Sequence, residues 1–92
     1  MDIIDENITL IRERLSNQPE LKFAEQQIAK LPKTYTYTGA LDKHVCILFR
    51  QLDVIAIIVQ SAAKYIDRTQ DYSLEPCIDV IGSKMREIRN KR

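Results

Sequence analysis

The stretch LDKHVCILFRQLDVIAIIVQSAAKYI, residues 41–66, decides the fold. Its apolar residues Leu41, Val45, Leu48, Leu52, Ile55, Val59, Ala62 and Ile66 alternate at spacings of four and three without a miss. That period places one residue of every turn on the same side of an α-helix. A second row, Ile47, Val54, Ile58 and Tyr65, flanks the first, and Phe49, Ala56 and Ala63 widen the apolar surface further. The polar positions Lys43, Arg50, Asp53, Gln60, Lys64 and Asp67 are left with one narrow stripe. A helix that is apolar over most of its girth needs cover on several sides. At 1.5 Å per residue it would be about 40–45 Å long.

Outward from this segment the chain repeats the same grammar in shorter pieces. Toward the N-terminus, Ile4, Ile8, Ile11 and Leu15 form one stripe, and Asp2, Asp5 and Glu6 stand in the first turn, where the helix dipole favours acids. Ser16-Asn17-Gln18-Pro19 interrupts the stripe; Asn17 or Gln18 is placed to cap, and proline suits a first helical position. Leu21, Ala24, Ile28 and Leu31 then form a second stripe, ended by Pro32. The segment Lys33-Thr-Tyr-Thr-Tyr-Thr-Gly39 alternates with period two but has no partner strand, so it reads as an extended linker into the long helix, with Thr38 as a possible N-cap. Downstream, Asp71-Tyr72-Ser73 makes a break, with Ser73 the expected cap. Leu74, Ile78, Ile81, Met85 and Ile88 form the last stripe. The expectation is an all-α, antiparallel bundle of about four helices around one long central helix. The helices cover about 3–16, 19–31, 40–69 and 74–90, in a single domain spanning 1–92. Laid end to end, the first two helices would cover much of one side of the third.

Composition narrows the class. The chain has 92 residues, 45% of them hydrophobic and 29% charged, with a formal net charge of +1, so a folded domain is expected and disorder is not. The N-terminus is acidic and lacks an apolar signal core, and the longest apolar run is only Val54 to Val59, against the roughly 20 residues that span a bilayer. A cytoplasmic location is expected. Cys46 and Cys77 fall within helical apolar patterns and read as reduced core thiols.

Catalytic chemistry finds little to stand on. His44, the only histidine, has Asp42 and Cys46 two residues away on either side. Positions two apart on a helix diverge, and a zinc site wants four ligands. Two glycines cannot build a phosphate loop, and no hydrolase, metalloprotease or calcium-loop motif occurs. No enzyme activity, cofactor or metal is expected.

Binding surfaces are easier to name. Apolar residues of the central helix left over after folding, Ile47, Phe49, Val54 and Ile58, would dock a partner helix or a second copy of the chain. Tyr35 and Tyr37 either cover an end of the core or add to that contact surface. The charge is unevenly placed: residues 1–32 carry a net of −2, and residues 83–92 a net of +4 from Lys84, Arg86, Arg89, Lys91 and Arg92 against Glu87. The basic tail is either a dipole-favoured helix end or a phosphate contact for nucleic acid. In size, helix number and basic tail the chain resembles the small immunity proteins of class II bacteriocin producers. That resemblance implies a four-helix bundle working at the inner face of a membrane, and it matches no motif that would carry residues across. The leading expectation is a non-catalytic interaction protein acting by helix-face docking as a homodimer. A nucleic-acid-binding regulator comes second and a membrane-surface immunity factor third.

Overall fold

A computed structural model describes residues 3–32 and 43–90, with the backbone alone for 43–49 and 89. Four α-helices account for nearly all of it: α1 (Ile3–Arg14), α2 (Pro19–Lys30), α3 (Lys43–Thr69) and α4 (Glu75–Asn90). No strand occurs among the described residues. Each helix begins or ends where its sequence demands. Pro19 opens α2, and Gln18 before it adopts an extended conformation without a side-chain cap. Leu31, the residue before Pro32, is extended as well, because the proline ring excludes the helical region there. At the end of α3, Gln70 takes a left-handed conformation (φ 59°). The chain then turns through a single 3-10 turn, Tyr72–Leu74.

That turn corrects one expectation. The cap is Asp71, not Ser73: its Oδ1 accepts from the Ser73 backbone N–H at 3.1 Å. The aspartate two residues ahead accepts from the Ser73 N–H itself and starts the tighter turn first.

The helices pair in an order the sequence did not indicate. α2 runs antiparallel along α3: Glu20 meets Arg68, the Phe23 ring lies 5.0 Å under the Lys64 ammonium, and Arg50 Nε donates to the Pro32 carbonyl at 3.2 Å. α1 lies mainly against α4, with Arg14 beside Asp71 at one end and Ile3 beside Val80 and Ser83 at the other. So the first two helices are not laid end to end on the third. They divide instead between α4 and α3, with one ion pair, Arg12 and Glu25 at 3.2 Å, reaching from one to the other.

One apolar cluster joins all four helices: Ile4, Ile8, Ile11 and Leu15 from the first arm, Ala24 from α2, Ile58, Ala62, Tyr65 and Ile66 from α3, and Leu74 and Ile81 from the last segment. Ile11, Leu15, Ile58 and Ile81 are completely enclosed. Burying one such side chain is worth roughly 2–3 kcal/mol, so these four anchor the fold. No helix of the described residues is long and apolar enough to cross a membrane.

Candidate interaction surface

The polar contacts of the bundle concentrate where α1 ends, α2 begins, α3 ends and α4 begins. Asp71 Oδ2 accepts from Arg14 Nη2 at 2.7 Å and from the Tyr65 hydroxyl at 2.9 Å. With the Ser73 N–H on its other oxygen, the carboxyl is held well below its ordinary range, first by the Arg14 hydrogen bond and then by the Ser73 and Tyr65 donors. Arg68 donates to both oxygens of Glu20 and, through Nη2, to Gln18 Oε1 at 2.8 Å. The Glu20 carboxyl is lowered chiefly by that hydrogen bond, and its side chain is only 8% exposed. The Arg68 guanidinium also lies over the Tyr65 ring. This knot ties four helix ends together, and every member already has a partner within the chain. It is a fastening between helix ends.

The opposite end of the bundle is different, and the difference lies in α3. Ile58, Ala62 and Tyr65 point into the core at helical spacing and are buried. Followed back toward the N-terminus, the same side of the helix carries Ile55 and Val54, then Gln51. Ile55 and Val54 are only half-buried, and Gln51 is exposed. Among the described side chains of α3, none before Ile58 is buried. The core-facing stripe therefore continues after its cover has stopped. α4 repeats the pattern: Leu74 and Ile81 are buried, Met85 is half-buried, and Ile88, two turns beyond Ile81, is 51% exposed. Both stripes run out on the side away from the Asp71 knot. Val54 on α3 and Ile88 on α4 are the candidate surface residues, while Ile55 and Met85 on the same stripes still pack against the core.

The residues singled out from sequence fare unequally. Val54 lies on the surface just described. Ile58 does not: it is completely enclosed in the chain's own core, so it cannot serve as a docking residue. It belongs to the apolar cluster to which all four helices contribute. The side chains of His44, Cys46, Ile47 and Phe49, and Tyr35 and Tyr37 altogether, lie outside the described residues. Of the basic residues, Lys84 pairs with Glu87 at 3.4 Å, and Arg86 is exposed and reaches Ser83 Oγ at 3.5 Å. The Arg89 side chain, Lys91 and Arg92 lie outside the description. Sequence reasoning placed Met85 and Ile88 in a core stripe: Met85 does pack against the core, while Ile88 was missed as surface. The distance of Ile88 from the chain turn was the available signal. It also passed over Phe23, 50% exposed on α2, where with Ile57 and Lys64 it lines a small groove of about 180 Å³. Cys77 is a half-buried free thiol.

Against models of known protein families, curated proteins and solved structures, the chain has no match in any of the three comparisons.

Proposed function

We propose that the protein is a non-catalytic interaction module that pairs with a second copy of itself through the open end of its bundle. One observation carries the reading: the core-facing stripe of α3 passes from buried Ile58 to Ile55 and Val54, apolar residues that are only partly covered. Side chains destined for water do not need to be Val and Ile. Ile88 adds an aliphatic side chain that is 51% exposed, and each Å² of apolar surface left wet forfeits about 25 cal/mol.

Length argues for a second copy as the occupant. α3 has 27 residues, against 12 each in α1 and α2 and 16 in α4. Short arms cannot sheath the long helix, and the one helix on hand of matching length is another α3. A two-fold arrangement covers both overhanging stripes at once, because the same patch serves both sides.

Sedimentation equilibrium over a range of protein concentrations tests this. The wild type is expected to give twice the chain mass. Ile88→Arg and Val54→Asp are each expected to shift it toward the chain mass while far-ultraviolet circular dichroism stays helical. Ile88 is exposed in the single chain, so its replacement leaves the fold intact and keeps the test valid if Val54→Asp unfolds. A wild type that stays at one chain mass throughout, or a dimer indifferent to Ile88→Arg, overturns the proposal.

A further inference from the structure

α2 is the least anchored of the four helices. Ala24 is its only fully covered member of the common apolar cluster, and Leu21 and Ile28 reach that cluster from partly buried positions. α1, of the same length, gives Ile4, Ile8 and Ile11. The largest apolar side chain of α2, Phe23, is 50% exposed. The helix also begins without a side-chain cap at Gln18. Its polar ties to α3 lie along one seam: Arg68 with Glu20 and Gln18, the Lys64 ammonium over the Phe23 ring, and Arg50 Nε on the Pro32 carbonyl. Between these ties Ile57 and Ser61 of α3 meet Phe23 and Gln27 of α2.

We infer that α2 is a strap, which opens from α3 as a unit while α1, α3 and α4 stay packed. A helix of 12 residues is marginal in water without tertiary cover, so once its seam parts it has little to hold it in shape. Ion pairs with an exposed partner, as Arg68 and Arg12 are, add little to the hold. The body left behind keeps its core, because every other member of the cluster comes from the α1 stripe, from α3 or from the last segment. Partial opening is drawn from such regions, where few apolar side chains are buried. Opening uncovers the side of α3 that carries Ile57 and Ser61. Ser61 is buried in the closed form, so access to that side is set by the strap. The inference does not depend on self-pairing.

Native-state hydrogen exchange, followed by NMR in urea concentrations well below the unfolding transition, tests this. Corrected for intrinsic rates, amides 23–30 are expected to exchange at least about tenfold faster than the slowest amides of 8–14, 58–66 and 78–85, and with a weaker dependence on urea. Ile81→Val provides the second measurement. Ile81 is completely enclosed on α4, and the strap-open form retains its packing. The substitution therefore brings global unfolding closer without bringing strap opening closer. It is expected to speed the slowest amides of the other three helices by about three- to tenfold and to leave amides 23–30 unchanged. Equal protection in all four helices of the wild type overturns the strap, as does a parallel acceleration of the α2 amides in Ile81→Val. The wild-type comparison decides alone if that variant fails to fold.

Discussion

Replacing Ile58 and Ile55 by alanine, one at a time, measures where the core of this protein stops. The two side chains are identical and nearly a turn apart on the same side of α3. Ile58 is completely enclosed and Ile55 is half-buried. Truncating a fully buried isoleucine to alanine costs about 2–5 kcal/mol, from lost transfer energy and the cavity left behind. For Ile58, fully enclosed in the shared apolar cluster, about 3.5 kcal/mol is expected. A domain of this size is stable by about 5–14 kcal/mol, so the variant folds but loses a large share of its margin. Its melting temperature should fall by about 15–25 °C. For Ile55 about half that loss is expected at micromolar concentration, because only part of the side chain leaves an apolar environment. Urea unfolding followed by circular dichroism gives both values. If self-pairing covers Ile55, its cost grows as protein concentration is raised, whereas the difference caused by Ile58 stays constant. Equal losses at every concentration would refute the picture of a core that ends between these two residues. So would a loss below about 1 kcal/mol for Ile58→Ala.

Two further substitutions probe the fastening and the last helix. Asp71 titrates below its ordinary value of 3.8 in the folded chain, so its contribution is complete above about pH 5 and is lost as the pH falls toward its folded value. Asp71→Asn keeps a capping oxygen but cannot titrate. The fall in melting temperature between pH 5 and pH 2 should therefore be shallower in Asp71→Asn than in the wild type, and identical slopes would count against the carboxylate's role. Gly82 sits within α4, and a methyl group built there meets nothing within 4 Å. Gly82→Ala should stabilise by about 1 kcal/mol through backbone entropy alone and raise the melting temperature by about 4–8 °C. A decrease would mean that a neighbour fills that space in solution.

The helices were legible because each short stripe has only one good side. The α1 stripe Ile4, Ile8, Ile11 and Leu15 is buried in full. In α2 and α4 the stripes are also the inward sides, though Ala24 alone of α2 is fully covered and Ile88 escapes. α3 was harder, and its own composition explains why. Among its described residues, the unbroken four–three row contributes Ala62 and Ile66 to the core but leaves Leu52, Ile55 and Val59 half-exposed, while Ile58 and Tyr65 of the flanking row are buried. When a helix is apolar nearly all round, several adjacent rows satisfy the same period. Which one is buried depends on where α1 and α2 arrive, and that is decided elsewhere in the chain. The Asp71 knot was not legible at all. Arg14 and Asp71 are 57 residues apart and Arg68 and Glu20 are 48 apart, and no local pattern pairs an arginine with one distant acid over another.

The basic tail is the remaining point at which the readings diverge, and the fold changes its meaning. Taken along the chain, residues 83–92 are a cluster of positive charge suited to phosphates. In the folded chain α1 returns to the same end. Among the described residues, the bases Lys84 and Arg86 there stand beside the acids Asp5, Glu6, Asp79 and Glu87 of the two helices that share that end. A phosphate row laid across it would meet more described acids than bases. Binding to random duplex DNA should therefore be weak and shallow in salt: a column of immobilised heparin should release the protein below about 0.2 M salt, and removal of residues 84–92 should change that little. Retention beyond about 0.4 M, abolished by the truncation, would show that the bases act without their acidic neighbours. The phosphate reading would then displace the self-pairing one, because an end that holds a polyanion that firmly is not balanced enough to pair with its own copy.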